Sequence, residues 1–211
     1  VSPKPPDPSV RTALIEAAAR LLATGGPSAL TTRGLAAEVG TSTMAVYTYF
    51  SGMAELRHAV RKEGFERLAR WLDGVATTPD PVADVASMGV AYISNALTNP
   101  HLYRFMFVEP PIDEDPEVGM NTFETLVGGV ARAIEAERFA HADAVALATQ
   151  LWVVTHGTVT LHLSGLLSLD DLAECAAAMA LNLFIAFGDD PIAARRSVGA
   201  ATPGLPVSQP A

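Results

Sequence analysis

Hydroxyl-bearing residues gather at two expected helix starts between residues 31 and 50. Thr31 and Thr32 are good N-cap types, with Arg33 behind them, and Ser42, Thr43 and Met44 open a second helix just after Gly40. A helix start carries N–H groups with no intrahelical partner at the positive end of its dipole, so it suits an anion such as phosphate. Leu35 and Val39 face inward from the first of these helices, Ala36 is small enough for a close crossing, and Gly40 permits a left-handed turn. Val46 and then Phe50 continue the apolar side from the second helix. That leaves Thr43, Met44, Tyr47 and Thr48 outside, where they would face a major groove if DNA were there. The spacing alone serves an ordinary helical hairpin equally well.

Other groupings offer less chemistry. His156 and His162 are six residues apart and about 120° from each other around a helix, so they cannot chelate one metal from one face. Asp113, Glu114 and Asp115 read as a solvated acidic loop. Ser164-Gly165 lacks the Gly-x-Ser-x-Gly frame and preceding strand of a nucleophile elbow. Cys175, the single cysteine, sits among alanines as a structural thiol. No catalytic residue, metal site or cofactor is expected.

The elements that must position these residues are helices, and the expected class is all-α. Apolar residues recur at helical spacing almost throughout, and no alternating run lies beside a hairpin turn. Helices are expected over 10–24, 31–40, 42–50, 53–74, 82–97, 101–108, 117–137, 142–163 and 169–187. Gly25-Gly26-Pro27 ends the first, Thr77 to Pro81 is a break, and Glu109 to Pro116 is expected as a mobile loop. Three parts follow: an arm and three-helix head over 1–52, a helical body over 53–188, and a flexible, proline-punctuated tail over 189–211.

With 49% hydrophobic and 18% charged residues in 211, wholesale disorder is excluded. The net charge of -9 would argue against a nucleic-acid partner, but it is unevenly spread. Residues 1–75 hold nine Lys and Arg against seven Asp and Glu; residues 76–211 hold five against sixteen. That is a weakly basic module joined to an acidic body. The lone cysteine and the absence of signal-peptide order fit a cytoplasmic protein. The longest uncharged run, between Asp143 and Asp170, holds too many polar groups for a lipid-facing span, so no membrane partner is expected.

From Val10 through about Val60 the sequence resembles the TetR family of bacterial transcription regulators. Ala17-Ala18, Leu21, Gly25, Thr31-Thr32, Leu35-Ala36, Gly40, Ser42, Val46-Tyr47, Phe50 and Leu56 stand at that family's positions. The resemblance implies a dimeric repressor with a helix-turn-helix DNA-binding head and a ligand-binding, dimerising body. It places Thr32 and Arg33 near phosphate, starts the recognition helix at Ser42, Thr43 and Met44, and sets Tyr47 on the DNA backbone. Thr48 and Tyr49 complete the candidate DNA-binding set. Two positions depart from the pattern: Tyr49 stands where the family usually has His, and Gly52-Met53 replace the Lys that usually opens the fourth helix. Lys4 and Arg11, ahead of the first helix, are expected to compensate as a flexible arm.

The resemblance extends through Asn99 to Phe107 and Trp152 to Gly157, which look like the TetR-type C-terminal domain named for its Trp-His-Gly signature. Around the helix at 142–163, Trp152, His156, Val159 and Leu163 share one face, while Leu147, Leu151, Val154, Thr158 and Leu161 lie opposite. A helix apolar all round must be buried all round, which suits a second subunit, and the helix at 169–187 is similar. Candidate ligand-binding residues are Met88, Tyr92, Phe105, Met106, Met120, Phe123, Trp152 and His156; plain core packing is the competing reading for each. The expectation is a regulator that binds a palindromic double-stranded DNA operator as a homodimer and is released by a small, largely apolar effector. A helical small-molecule-binding protein or enzyme that leaves DNA alone is the alternative.

Overall fold

Local signals set the helix boundaries in the N-terminal third. A computed structural model of the chain describes residues 7–108 and 119–201. Asp7 caps the first helix, α1 (Pro8–Gly25), by accepting the Ser9 N–H, and Pro8 stands where no N–H is needed. Gly25 and Gly26 end it: a Cβ on Gly25 would fall 2.5 Å from Ala29 Cβ, and Gly26 has a φ of 68°. Thr31 caps α2 (Thr32–Val39) and Ser42 caps α3 (Thr43–Tyr49). Between them Gly40 adopts the left-handed conformation, φ 69° and ψ 33°, and the Thr41 N–H closes back on the Ala36 carbonyl at 2.8 Å. The remaining helices are α4 (Met53–Asp73), α5 (Pro81–Thr98), α6 (Pro100–Val108), α7 (Met120–Glu135), α8 (Ala144–Leu163), α9 (Leu169–Ala186) and α10 (Pro191–Ala201). There is no strand among the described residues.

Packing divides the chain into two units, and the division falls inside α4, between Arg67 and Leu68, rather than at the expected 52/53 boundary. The first unit also takes in residues 99–119, hence α6. Its core joins Leu14, Ile15 and Ala18 of α1 to Leu35, Val46, Phe50, Leu56 and Val60, with Leu102 and Phe105 from α6. Gly64 lets α6 approach α4, because a Cβ there would fall 2.6 Å from Met106 Cγ. Arg67 ties three places together: it pairs with Glu16 of α1 and with Glu63 at 2.8 Å, and donates to Asn99 Oδ1 at 2.7 Å.

The second unit is built on α5 and α7 to α10. Phe139 fills its centre, with ring centroids 5.5 Å from Phe184 and 5.4 Å from Phe187, among Val82, Val130, Ala148 and Ala194. Arg138 is the polar counterpart of that aromatic cluster. It grips Asp189 bidentately at 2.6 and 2.8 Å, and reaches Asp80 at 2.9 Å and Ser197 Oγ at 3.1 Å. Ser197 in turn donates to Asp80 at 2.7 Å. Burial raises the Asp80 pKa, but the Ser197 hydroxyl, the Ala83 N–H and Arg138 together hold it below 3.8. Buried Asp84 is matched by Arg132 at 3.0 Å and by Thr78.

The tail expected over 189–211 is therefore corrected as far as residue 201. Asp190 caps α10 through the Ile192 and Ala193 N–H groups, Pro191 takes the first helical position, and Ala194 and Val198 are buried. A proline read as a break is here a helix start. Residues 202–211, and the loop expected over 109–116, lie outside the described residues. The helix expected from 117 is described from Met120.

Replacing Arg138 by Met would leave Asp189, whose side chain is 1% exposed, as a buried charge without its cation. Arg138→Met is expected to lower unfolding free energy by about 3 kcal/mol or more in a denaturant titration. A loss under about 1 kcal/mol would show that Asp189 does not depend on that pair.

Candidate nucleic-acid interface and ligand site

Because Val46 is 1% exposed and Phe50 anchors the end of α3, the opposite side of this short helix is held open. Thr43, Met44, Tyr47 and Thr48 fall within roughly 140° of arc at 100° per residue. All four are exposed, Met44 at 70% and Tyr47 at 55%. Thr48 donates to the Met44 carbonyl at 3.0 Å. Ser42 is exposed, and its hydroxyl accepts the Ala45 N–H at 3.2 Å. Arg33 is exposed on the first turn of α2. These six residues share the two helix starts and the open side of α3.

Thr32 and Tyr49 are placed otherwise. The Thr32 hydroxyl meets Met53 Sδ at 3.4 Å, which shows what the departure at Met53 does: it packs the start of α4 against α2. Tyr49 is half-buried, and its hydroxyl donates to the Asp7 carbonyl at 2.9 Å. Arg11, expected in a loose arm, lies within α1 with its guanidinium over the Phe50 ring, 5.4 Å from the centroid. Lys4 lies outside the described residues.

The ligand candidates divide between the units. Phe105 and Met106 belong to the first. Phe105 is 3% exposed beneath Arg61, and Met106 packs on Gly64, so both serve that unit's core. In the second unit Tyr92, Phe123, Trp152 and His156 gather. The Tyr92 hydroxyl and His156 Nδ1 are 3.0 Å apart, the Trp152 and His156 rings 5.8 Å, and the Phe123 and Trp152 rings 6.1 Å edge to face. Met88 is buried against Gly129 of α7, whereas Met120 is 49% exposed at the α7 start. Burial lowers the His156 pKa and so favours the uncharged ring, whose bond to Tyr92 serves either neutral tautomer. The cluster offers aromatic faces and one uncharged polar pair.

Sequence reasoning missed the polar ties, Tyr49 to Asp7, Arg67 to Asn99 and Arg138 to Asp189, because their partners are 32 to 51 residues apart. Periodicity reports only faces of single helices.

Comparison with known proteins agrees with the all-helical fold and its N-terminal helix-turn-helix. Residues 14–60 match the pattern of "Bacterial regulatory proteins, tetR family", and residues 85–183 match "Tetracyclin repressor-like, C-terminal domain". A protein of unknown function from Rhodococcus sp. RHA1 is similar at 26% identity and TM-score 0.75, over 90% of this chain and 100% of that one. The TetR family transcriptional regulator PfmR from Thermus thermophilus is similar in fold at 17% identity and TM-score 0.68, over 84% and 99%. A gamma-butyrolactone receptor (ArpA-like protein) gives 21% and 0.69, over 93% and 96%. RolR (NCGL1110) in complex with resorcinol gives 20% and 0.59, over 90% and 93%. Among proteins of curated function, none matches.

The neutral state of His156 has a thermodynamic signature. Its folded pKa lies below the unfolded 6.5, so folding is unpenalised above that pH and weakens as pH falls through 6.5 towards the folded value. His156→Gln should flatten the decline of Tm with pH across that window. An unchanged decline in the variant would assign the acid sensitivity to other groups.

Proposed function

The chain belongs to the tetR family of bacterial regulatory proteins, whose members are DNA-binding regulators rather than enzymes, and we propose that it is a cytoplasmic, effector-released repressor acting as a homodimer. The observation that carries this reading is the open side of α3. Large side chains such as Met44 and Tyr47 are held outward beside three hydroxyl residues, above a core that fixes the helix. Thr43 and Met44 read base edges in a major groove, and Tyr47 with the start of α2 meets the sugar–phosphate backbone. Two such heads related by a dyad call for a palindromic operator.

The body supports the dimer. On α8, Leu147, Ala148, Leu151 and Val159 are buried in the unit, while Val153 and Leu161 are exposed at 56% and 44%. By length and composition α8 alone among the described residues could cross a membrane; a second copy of the chain is the partner that suits its apolar outer stripe better. Met179 and Ile185 of α9 are exposed as well, at 41% and 37%. Gly157, on the outer side of α8, has open space where a Cβ would stand, which admits close approach by another helix.

The effector is small and largely apolar. The aromatic cluster of Phe123, Trp152 and Tyr92 with neutral His156 favours an uncharged molecule that takes a hydrogen bond. Resorcinol in the RolR complex and the butyrolactone of the receptor's name are of that chemical kind. The effector releases the operator by binding the operator-free state more tightly, and operator and effector weaken each other equally.

Selection from random duplexes tests the reading: an enriched inverted repeat supports it, and an unenriched pool sinks it. On the recovered operator Tyr47→Ala should weaken binding by roughly tenfold or more, about 1.5 kcal/mol, across all sequences, while Thr43 or Met44 changes alter base preference. In sedimentation at micromolar concentration the parent should be dimeric. Leu161→Asp or Met179→Asp should raise the dimer Kd by about a hundredfold or more, a charge in an apolar interface costing several kcal/mol. A monomeric parent would end the two-half-site proposal.

A further inference from the structure

Two side-chain contacts bring the start of α1 against the end of α3 and the opening of α4. The first is the 2.9 Å bond from the Tyr49 hydroxyl to the Asp7 carbonyl. Asp7 is the N-cap of α1, its carboxylate already bound to the Ser9 N–H, so this bond fixes a helix start. One turn on, the second contact holds the Arg11 guanidinium 5.4 Å over the Phe50 ring. Phe50 is 1% exposed and cannot give way, so its ring is a fixed platform. A cation–π contact places the guanidinium without using a hydrogen-bond acceptor, so its N–H donors remain for another partner. Arg11 itself is exposed.

Gly52 and Met53 bring no cation to the opening of α4, and the N–H of Ser51 is taken by the Glu55 carboxylate at 2.6 Å. Arg20, further along α1, is engaged with Glu38 at 3.4 Å. Glu55 attracts Arg11 and partly offsets its charge, but the carboxylate is exposed and screened by water and salt. Arg11 is thereby a positioned cation at the end of the helix that carries exposed Tyr47, three residues before Phe50.

We infer that Arg11 is a phosphate-contacting residue of the DNA interface and that Tyr49 is the residue that positions it. The inference rests on the DNA-binding reading, and assigns to α1 a part in that interface alongside α2 and α3. The departure from His at position 49 then has a use, since a phenol reaches across to the Asp7 carbonyl.

The test measures affinity of the full chain for a random-sequence 30-base-pair duplex over a salt series. Non-specific binding is almost wholly electrostatic, and its log–log salt slope falls by about 0.9 for each phosphate contact removed. Arg11→Ala should lower the slope by about that amount per subunit, and Arg11→Lys should restore it. Tyr49→Phe keeps the ring but removes the hydroxyl; in that background Arg11→Ala should change the slope by less than half as much. A purely structural Arg11 would lower Tm and leave the slope alone, which overturns the inference. Equal Arg11→Ala effects in the parent and Tyr49→Phe backgrounds overturn the role of Tyr49. A parent that binds no duplex at low salt defeats the DNA-binding reading itself, whereas a parent that binds with a slope indifferent to Arg11 defeats only this inference.

Discussion

An α-helix satisfies its own backbone hydrogen bonds, so in an all-helical chain only side chains and turns decide where one helix lies against the next. Here that burden rests on few groups. In the first unit the left-handed Gly40 turn sets the crossing of α2 and α3, and buried Val46 and Phe50 lock α3 by one side only. Had α3 been apolar all round it would have sunk into the core, and the hydroxyl-rich side would have nothing to present. In the second unit the Phe139 cluster supplies apolar burial, and Arg138 supplies the directional ties that apolar contact lacks.

What the sequence makes legible follows from the range of each signal. Caps act over two or three residues, and Thr31, Gly40 and Ser42 each do what their types suggest. Helix faces act over one helix, and the outward set of Thr43, Met44, Tyr47 and Thr48 follows directly from the inward Val46. Phe105 and Met106 lie beyond that reach, because an apolar periodicity is the same for a core and for a cavity lining and says nothing of Arg61 over the one ring or Gly64 beside the other side chain. Arg11 reads in the sequence as part of a loose arm because its partner, Phe50, stands far along the chain, just past the end of another helix. At Asp190-Pro191 the signal is local and still misleads, since a proline both stops helices and starts them.

Two of the exposed groups of large side chains differ in kind. On α3 a thioether and a phenol stand among hydroxyls, a mixture suited to base edges and phosphates. On α8 and α9 the exposed apolar side chains include Val153, Leu161, Met179 and Ile185, with Gly157 beside them, a composition suited to another helix. The charge follows the same division, with Lys and Arg in excess over residues 1–75 and Asp and Glu in excess beyond. An acidic body repels the DNA backbone and leaves that contact to the head.

The grip of Arg138 also has a consequence for biosynthesis. Its three partners come from the start of α5, the end of α9 and the middle of α10, so Asp80 emerges from the ribosome long before the residues that complete its environment. At about 5–20 residues per second, the stretch from 139 to 201 takes roughly 3–12 s to appear. During that interval the first unit, whose residues all precede position 120, already has its whole core, while the second holds Arg138 and Asp80 without Asp189 or Ser197. Vectorial synthesis thus finishes the DNA-facing unit first and leaves the acidic unit waiting for its last helix.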